Sequence, residues 1–166
     1  MGGRGRRYSP YFRADWASAL VSPTLHPLRG GMSFSGFIQH SLLVVLGGGL
    51  GAWLRYVVGL AWARGIGAAS AAAFPWATLT VNLVGSLAMG VLTGWLAGSG
   101  QGSESWRLLL GVGVLGGFTT FSAFSLDVVT LAQRGELGTA LLYGTISIVG
   151  SIVGLVAGLS IAKGLA

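Results

Sequence analysis

Four long apolar stretches, each nearly free of charge, leave this chain almost no choice of solvent. They run from Phe37 to Leu60, Ala77 to Leu96, Leu108 to Ala132 and Leu137 to Ala162. Each is close to the roughly 17–25 residues that carry an α-helix through a hydrocarbon core about 30 Å thick. Hydrocarbon satisfies no backbone N–H or C=O, so only helices and closed barrels cross it. Runs of this length read as helices. What lies between them is short: Arg64 to Ala73, Phe74-Pro75-Trp76, Gly98 to Ser103, and Arg134-Gly135-Glu136. Only 8% of the 166 residues are charged and 52% are hydrophobic, where a soluble domain averages about 25% charged. The expected class is an all-α membrane protein of four transmembrane helices, in the lipid bilayer, with no separate soluble domain.

The formal net charge of +6 belongs largely to the N-terminal segment, which holds Arg4, Arg6, Arg7, Arg13 and Arg29. Residues 1–31 mix Gly, Arg, Pro and Ser without a sustained period and have no apolar stretch of the kind a secretory signal needs. They are expected to form a basic, disordered extension, with no nucleic-acid partner. Met32 opens a sequence that leads directly into the first span, so Met32 is read as the start of the membrane domain, 32–166. Cysteine is absent, which removes disulfides and thiolate metal sites. No nucleophile–base pair or metal-ligand cluster is visible, so an enzyme is not expected.

Small residues recur four apart within the spans: Gly47 and Gly51, Gly90 and Gly94, Gly113 and Gly117, then Gly150, Gly154 and Gly158. That spacing puts them on one helix face and lets backbones approach closely. By itself it says only that the helices are packed. Four helices enclose little room for a private pore, and a homodimer is the economical way to bury these faces. Loop charges are balanced, with Arg64 and Arg134 on one side of the membrane and Arg107 and Lys163 on the other. The positive-inside rule then assigns no orientation, which fits insertion both ways.

Within the third stretch lies Gly116-Gly117-Phe118-Thr119-Thr120-Phe121-Ser122-Ala123-Phe124. Paired glycines followed by hydroxyls and aromatics are a poor plain membrane helix. Irregular backbone inside the membrane is tolerated only where it is buried in protein or lines a cavity, and such interruptions mark midplane ion or substrate sites. A broken third helix is therefore expected, unwound at Gly116 and Gly117, where glycine lowers the cost of non-helical backbone. Phe121 and Phe124 stand three apart on one face, with Thr120 four before Phe124. They are either ordinary packing or ring edges offered to a small anion, since the edge of an aromatic ring is positive. Ser122 lies beside them, and Tyr143 and Ser147 repeat a hydroxyl theme at a spacing of four in the last span. Asn82 is the one strongly polar side chain of the second span, read equally as interhelical glue or as a donor in a path. Arg55 and Asp127 each lie off-centre in spans that cross in the same direction, about 10 Å from the midplane. The two are expected to be neighbours at a vestibule.

Three segments resemble the small fluoride channels called Fluc or CrcB. They are Gly47-Gly48-Gly49-Leu50-Gly51-Ala52-Trp53-Leu54-Arg55-Tyr56, Thr78-Leu79-Thr80-Val81-Asn82-Leu83-Val84-Gly85 and the Gly116–Phe124 stretch. They fall in order in the first three spans, and with the fourth the resemblance covers essentially everything after Met32. It implies a passive fluoride-selective channel that lets bacteria expel the ion across the inner membrane. It also implies an antiparallel, dual-topology homodimer with two pores. By the resemblance, Phe121, Phe124 and Asn82 line the fluoride path, and Ser122, Tyr143 and Ser147 are associated with the same track; Thr120, on the face of Phe124, is placed in the path with them. A structural sodium ion is implied on the backbone carbonyls of Gly116 and Thr119. Ala123 departs from the pattern, where the family often has Thr. Two rivals stand beside this reading. A proton-coupled exporter would need a carboxylate deep in the membrane, where the helix centres hold none, and a non-transporting scaffold would need only the small-residue faces.

Overall fold

The computed structural model of the chain describes residues 33–98 and 103–165. The expectation for the basic segment 1–31, and the middle of the Gly98–Ser103 turn, lie outside the described residues. The first helix, α1 (Phe34–Ile66), overruns the expected span at both ends. Nothing in its flanks breaks a helix, and Arg64 in the last turn sits where the helix dipole favours a cation. Gly67, at φ 83°, ends it. The alanine-rich stretch that follows, expected as a linker, forms the short helix α2 (Ala68–Ala73), as its high helix propensity allows. It stops at Phe74 because the residue before a proline is pushed out of helical geometry. Phe74 is extended, at φ −141° and ψ 139°.

Helix α3 (Trp76–Gly98) starts directly after Pro75, whose carbonyl accepts the Leu79 N–H at 3.0 Å. The third membrane segment is composite. A turn of helix, α4 (Ser103–Trp106), leads into a π-helical stretch, π1 (Arg107–Leu115), and then α5 (Gly116–Phe118). Thr119 and Thr120 are both extended, after which α6 (Phe121–Gln133) begins. Gly135, at φ 81°, turns the chain into α7 (Leu137–Leu165). There the Gly135 and Glu136 N–H groups close onto the carbonyls of Ala132 and Leu131, each at 3.0 Å. Such bonds from a left-handed glycine satisfy the last carbonyls of a helix.

Among the described residues every element is helical, and four stretches are long and apolar enough to cross a membrane: Phe34–Ile66, Trp76–Ala97, Glu104–Gln133 and Leu137–Gly164. The chain is a multi-pass membrane protein. Arg134 Nη1 donates to the Ala72 carbonyl at 2.9 Å, tying the α6–α7 turn to the end of α2. Both connections therefore lie at one end of the bundle, as alternating spans require.

Two close pairs make the bundle. Along the first, α1 lies against π1 and α5. A Cβ on Gly47 would sit 2.5 Å from the Leu109 carbonyl, and one on Gly51 would collide with Val114 O and the Phe118 amide. Gly113 and Gly117 meet Gly47 and Gly48 from the other side. Along the second, α3 lies against α7, with Gly90 on the Leu155 backbone and Gly158 on Leu87. Lipid tails supply no hydrophobic drive between helices, so association rests on such backbone-to-backbone packing. Large apolar side chains such as Leu46, Leu141 and Ile152 are exposed, as a bilayer permits. The buried cluster of Leu79, Phe124, Leu131, Ala140 and Tyr143 joins α3, α6 and α7, next to the place where the third segment leaves helical geometry.

Candidate functional site

The two extended residues need partners for the backbone groups they release, because no water is at hand inside a membrane. Asn82 on α3 supplies them. Its Nδ2 donates to the Thr120 carbonyl at 3.1 Å, and its Oδ1 accepts the Thr120 N–H at 2.9 Å. The side-chain amide thus imitates one rung of a β-ladder. Arg55 on α1 acts on the neighbouring residue, donating from Nη1 to the Thr119 carbonyl at 3.2 Å. Thr119 remains tied to the preceding turn, its N–H and Oγ1 both donating to Leu115 O at 3.0 and 2.9 Å. Thr120 caps α6: its Oγ1 accepts the Ala123 N–H at 3.2 Å, the usual way a threonine satisfies an orphan donor at a helix start.

Beside this junction lies a cavity of about 390 Å³, lined by Asn82, Thr120, Phe121, Phe124 and Ser147 among others. Phe121 and Phe124 have ring centroids 5.6 Å apart and planes inclined at 42°. Their burial differs sharply: Phe124 is 9% exposed and Phe121 is 78% exposed. Ser147 is buried, and its Oγ has no hydrogen-bond partner among the described residues. A buried, unpaired hydroxyl is uncommon enough to need a reason. The residue borders the cavity, but its oxygen is covered and not open to it. One Nδ2 hydrogen of Asn82 is likewise left over after the bond to Thr120.

The other expected residues fall nearby but not on this wall. Ser122 is exposed and lies 3.2 Å from Thr120 Oγ1 through its own hydroxyl. Tyr143 is fully buried behind Phe124, and its hydroxyl donates to Asp127 Oδ2 at 3.2 Å. The expected pairing of Arg55 with Asp127 does not form. Arg55 is directed to the Thr119 carbonyl and Asp127 to Tyr143, and the ion pair among the described residues is Arg107 with Glu104 at 2.7 Å. Depth along parallel spans was the wrong guide, because each group found a nearer partner. Ser86 and Ser151 also line the cavity and were not singled out from the sequence. They follow Asn82 and Ser147 by four residues, so carrying the helical spacing one turn further would have found them.

Gly116 and Gly117, expected to be the unwound residues, are helical. The two that leave the helix are the threonines. Gly117 is small because Gly48 crosses there. The Gly116 carbonyl is nonetheless released, since the amide that would close a helical turn onto it is that of Thr120, which bonds to Asn82 instead.

Residues 42–159 match the family described as CrcB-like protein, Camphor Resistance (CrcB). The chain belongs to this family. This CrcB-family chain is 59% identical over 124 residues to the "Fluoride-specific ion channel FluC" of Novosphingobium aromaticivorans, covering 74% of this chain and 95% of that protein. It is 48% identical over 122 residues to "Fluoride-specific ion channel FluC 2" of Nitrobacter hamburgensis, with 74% and 95% covered. To the "Fluoride-specific ion channel FluC" of Erythrobacter litoralis it is 50% identical over 125 residues, with 74% and 91% covered. The matched family region, 42–159, spans α1 to α7 and contains every residue of the cavity wall.

Proposed function

We propose that the protein is a fluoride-selective passive channel of the bacterial inner membrane, which relieves fluoride toxicity by letting the ion leave the cell. The observation that carries this reading is the chemistry of the cavity wall. It offers amide, hydroxyl and aromatic groups set among aliphatic ones such as Met89 and Ile152, and among the described residues no carboxylate, lysine or arginine lines it. Fluoride is a small, hard anion that only accepts hydrogen bonds. The spare Nδ2 hydrogen of Asn82, hydroxyls of the wall such as Ser86 and Ser151, and the positive ring edges of Phe121 and Phe124 can replace part of its hydration shell. A carboxylate there would repel the ion and a fixed cation would hold it, whereas conduction needs binding weak enough to release. The names of the relatives support the same substrate.

The third span is read as a working broken helix, with Thr119 and Thr120 at the break and Asn82 bracing it. The functional unit is read as an antiparallel homodimer inserted in both orientations. Supporting this are the balanced loop charges and the 78% exposure of Phe121, a ring at the cavity that a second copy would cover. Ser122 and Tyr143 are read as later stations of the track, outside the cavity.

A structural sodium ion is part of this reading. The donors suit a hard monovalent cation: the Gly116 carbonyl is released by the Thr120–Asn82 bond, and the Thr119 carbonyl keeps a lone pair beside the one taken by Arg55. Among the described residues no cluster of three His, Cys, Asp or Glu side chains exists to hold a metal, and the family resemblance implies backbone carbonyls as the ligands. One subunit supplies two, and its partner would supply two more. Such an ion would add fixed positive charge near both paths without being carried.

Liposomes loaded with fluoride and read with a fluoride electrode test the function. Rapid efflux without a proton gradient is expected. Dependence on the gradient would make the protein an exchanger, and absence of efflux from assembled protein would leave a scaffold.

A further inference from the structure

The corner Phe74-Pro75-Trp76 is used by the fold as a helix boundary, yet its rings do more than mark a turn. Phe74 is extended because Pro75 follows it, and the Trp76 N–H closes back onto the Phe74 carbonyl at 2.8 Å. Its backbone is thereby held from both sides. The Phe74 ring meets Tyr143 edge-on, with centroids 5.6 Å apart and planes at 83°. Tyr143 in turn lies 5.5 Å from Phe124, which lies 5.6 Å from Phe121. Behind Phe74, Trp76 stands at 4.5 Å and stacks on Trp62 at 5.5 Å, with planes 20° apart. Trp62 is itself fixed by its Nε1–H, which donates to Thr80 Oγ1 at 3.1 Å. An unbroken file of rings therefore runs from the α2–α3 corner to the cavity wall.

We propose that Phe74 is a positioning residue for the ion path: anchored at the proline corner, its ring edge sets the orientation of Tyr143 and, through Tyr143, of Phe124. The inference rests on the channel reading given above. Tyr143 has no exposed surface, so its ring angle is decided wholly by what it touches. One face of that environment is Phe74 and another is Phe124, while the hydroxyl is tethered to Asp127 Oδ2. Removing the Phe74 ring leaves space on one side of Tyr143 only, and the ring tilts into it, carrying Phe124 away from Phe121. Close-packed interiors transmit such displacements because neighbouring side chains have no slack.

The test uses full-length protein reconstituted in liposomes, with the fluoride-to-chloride flux ratio recorded alongside fluoride efflux. Phe74→Leu is expected to lower fluoride efflux about tenfold, the scale on which two aromatic pairs act, and to lower the flux ratio. Phe74→Tyr, which keeps the ring, is expected to conduct like the parent. A purely structural role would make the losses in Phe74→Leu and Phe124→Ile multiply. The positioning role predicts that the double variant falls little below Phe124→Ile alone, because residues that act through a shared partner, here Tyr143, are coupled. If Phe74→Leu does not assemble, Phe74→Met, with similar volume and no ring, replaces it. Parent-like efflux and selectivity in the ringless variant, or independent losses in the double variant, overturn the proposal. Absence of fluoride efflux from the parent protein would instead overturn the channel reading itself.

Discussion

Asn82 braces Thr120 through both its oxygen and its nitrogen, and it is one of the residues lining the cavity. The sequence left glue and donor as equal alternatives; the geometry shows the brace, and the donor role belongs to the proposed function. Asn82→Ala is expected to lose two hydrogen bonds and strand the Thr120 N–H and C=O, lowering stability by about 1–3 kcal/mol. Equilibrium unfolding in mixed micelles measures this, and an unchanged midpoint would mean that the extended residues do not depend on the amide. Asn82→Asp can still accept the Thr120 N–H but cannot donate to its carbonyl while ionised, and it puts negative charge on the wall. Its fluoride flux should fall further than its stability explains. The two phenylalanines should separate in a similar comparison. Phe121→Ile changes an exposed ring and should reduce flux with little change in the subunit's own stability. Phe124→Ile alters the buried cluster and should cost about 1–3 kcal/mol as well as flux. Equal stability losses would contradict the burial difference.

At the scale of helices, glycine spacing in the sequence was informative about which faces meet and silent about which helix meets which. Gly47 and Gly51 oppose Gly113 and Gly117, while Gly90 opposes Gly158. The intervening Gly49 faces open space, with nothing within 4 Å of a Cβ placed there. Gly51→Ala should therefore force α1 off α5, at roughly 1–3 kcal/mol for a contact against rigid backbone. Gly49→Ala should be silent or slightly stabilising, since alanine favours helix. Thermal denaturation of both variants in one detergent decides the matter, and equal shifts would show that the packing does not distinguish the two glycines. The interruption of the third span illustrates the limit of local reading. The glycine pair looked like the flexible point, yet both glycines stay helical and the threonines leave. What moves the departure downstream is Asn82, on another helix, offering Thr120 a partner.

For the whole molecule, the sodium reading ties assembly to function. If each subunit contributes the Gly116 and Thr119 carbonyls to one ion, the ion binds only the assembled dimer and stabilises it by mass action. Replacing sodium with a bulky organic cation should then lower both dimer stability, read by subunit exchange between labelled populations, and fluoride flux. Unchanged exchange and flux in sodium-free buffer would remove the ion from the account. Some of this molecule was settled by sequence alone. The membrane as solvent, four spans, all-helical structure and the neighbourhood of the polar stretch follow from runs of apolar residues and their interruptions, because the cost of unpaired backbone in hydrocarbon acts on each segment separately. The α1 overrun and the helical α2 were missed for want of a strong stop signal before Gly67 and Phe74. The partners of Arg55 and Asp127, the capture of Thr120 by Asn82 and the file of rings from Phe74 to Phe121 were decided only in the tertiary structure. Each depends on which side chains from different helices come within about 3 Å for a hydrogen bond or 4.5–7 Å for a ring pair, and no spacing along one helix specifies a distance to another.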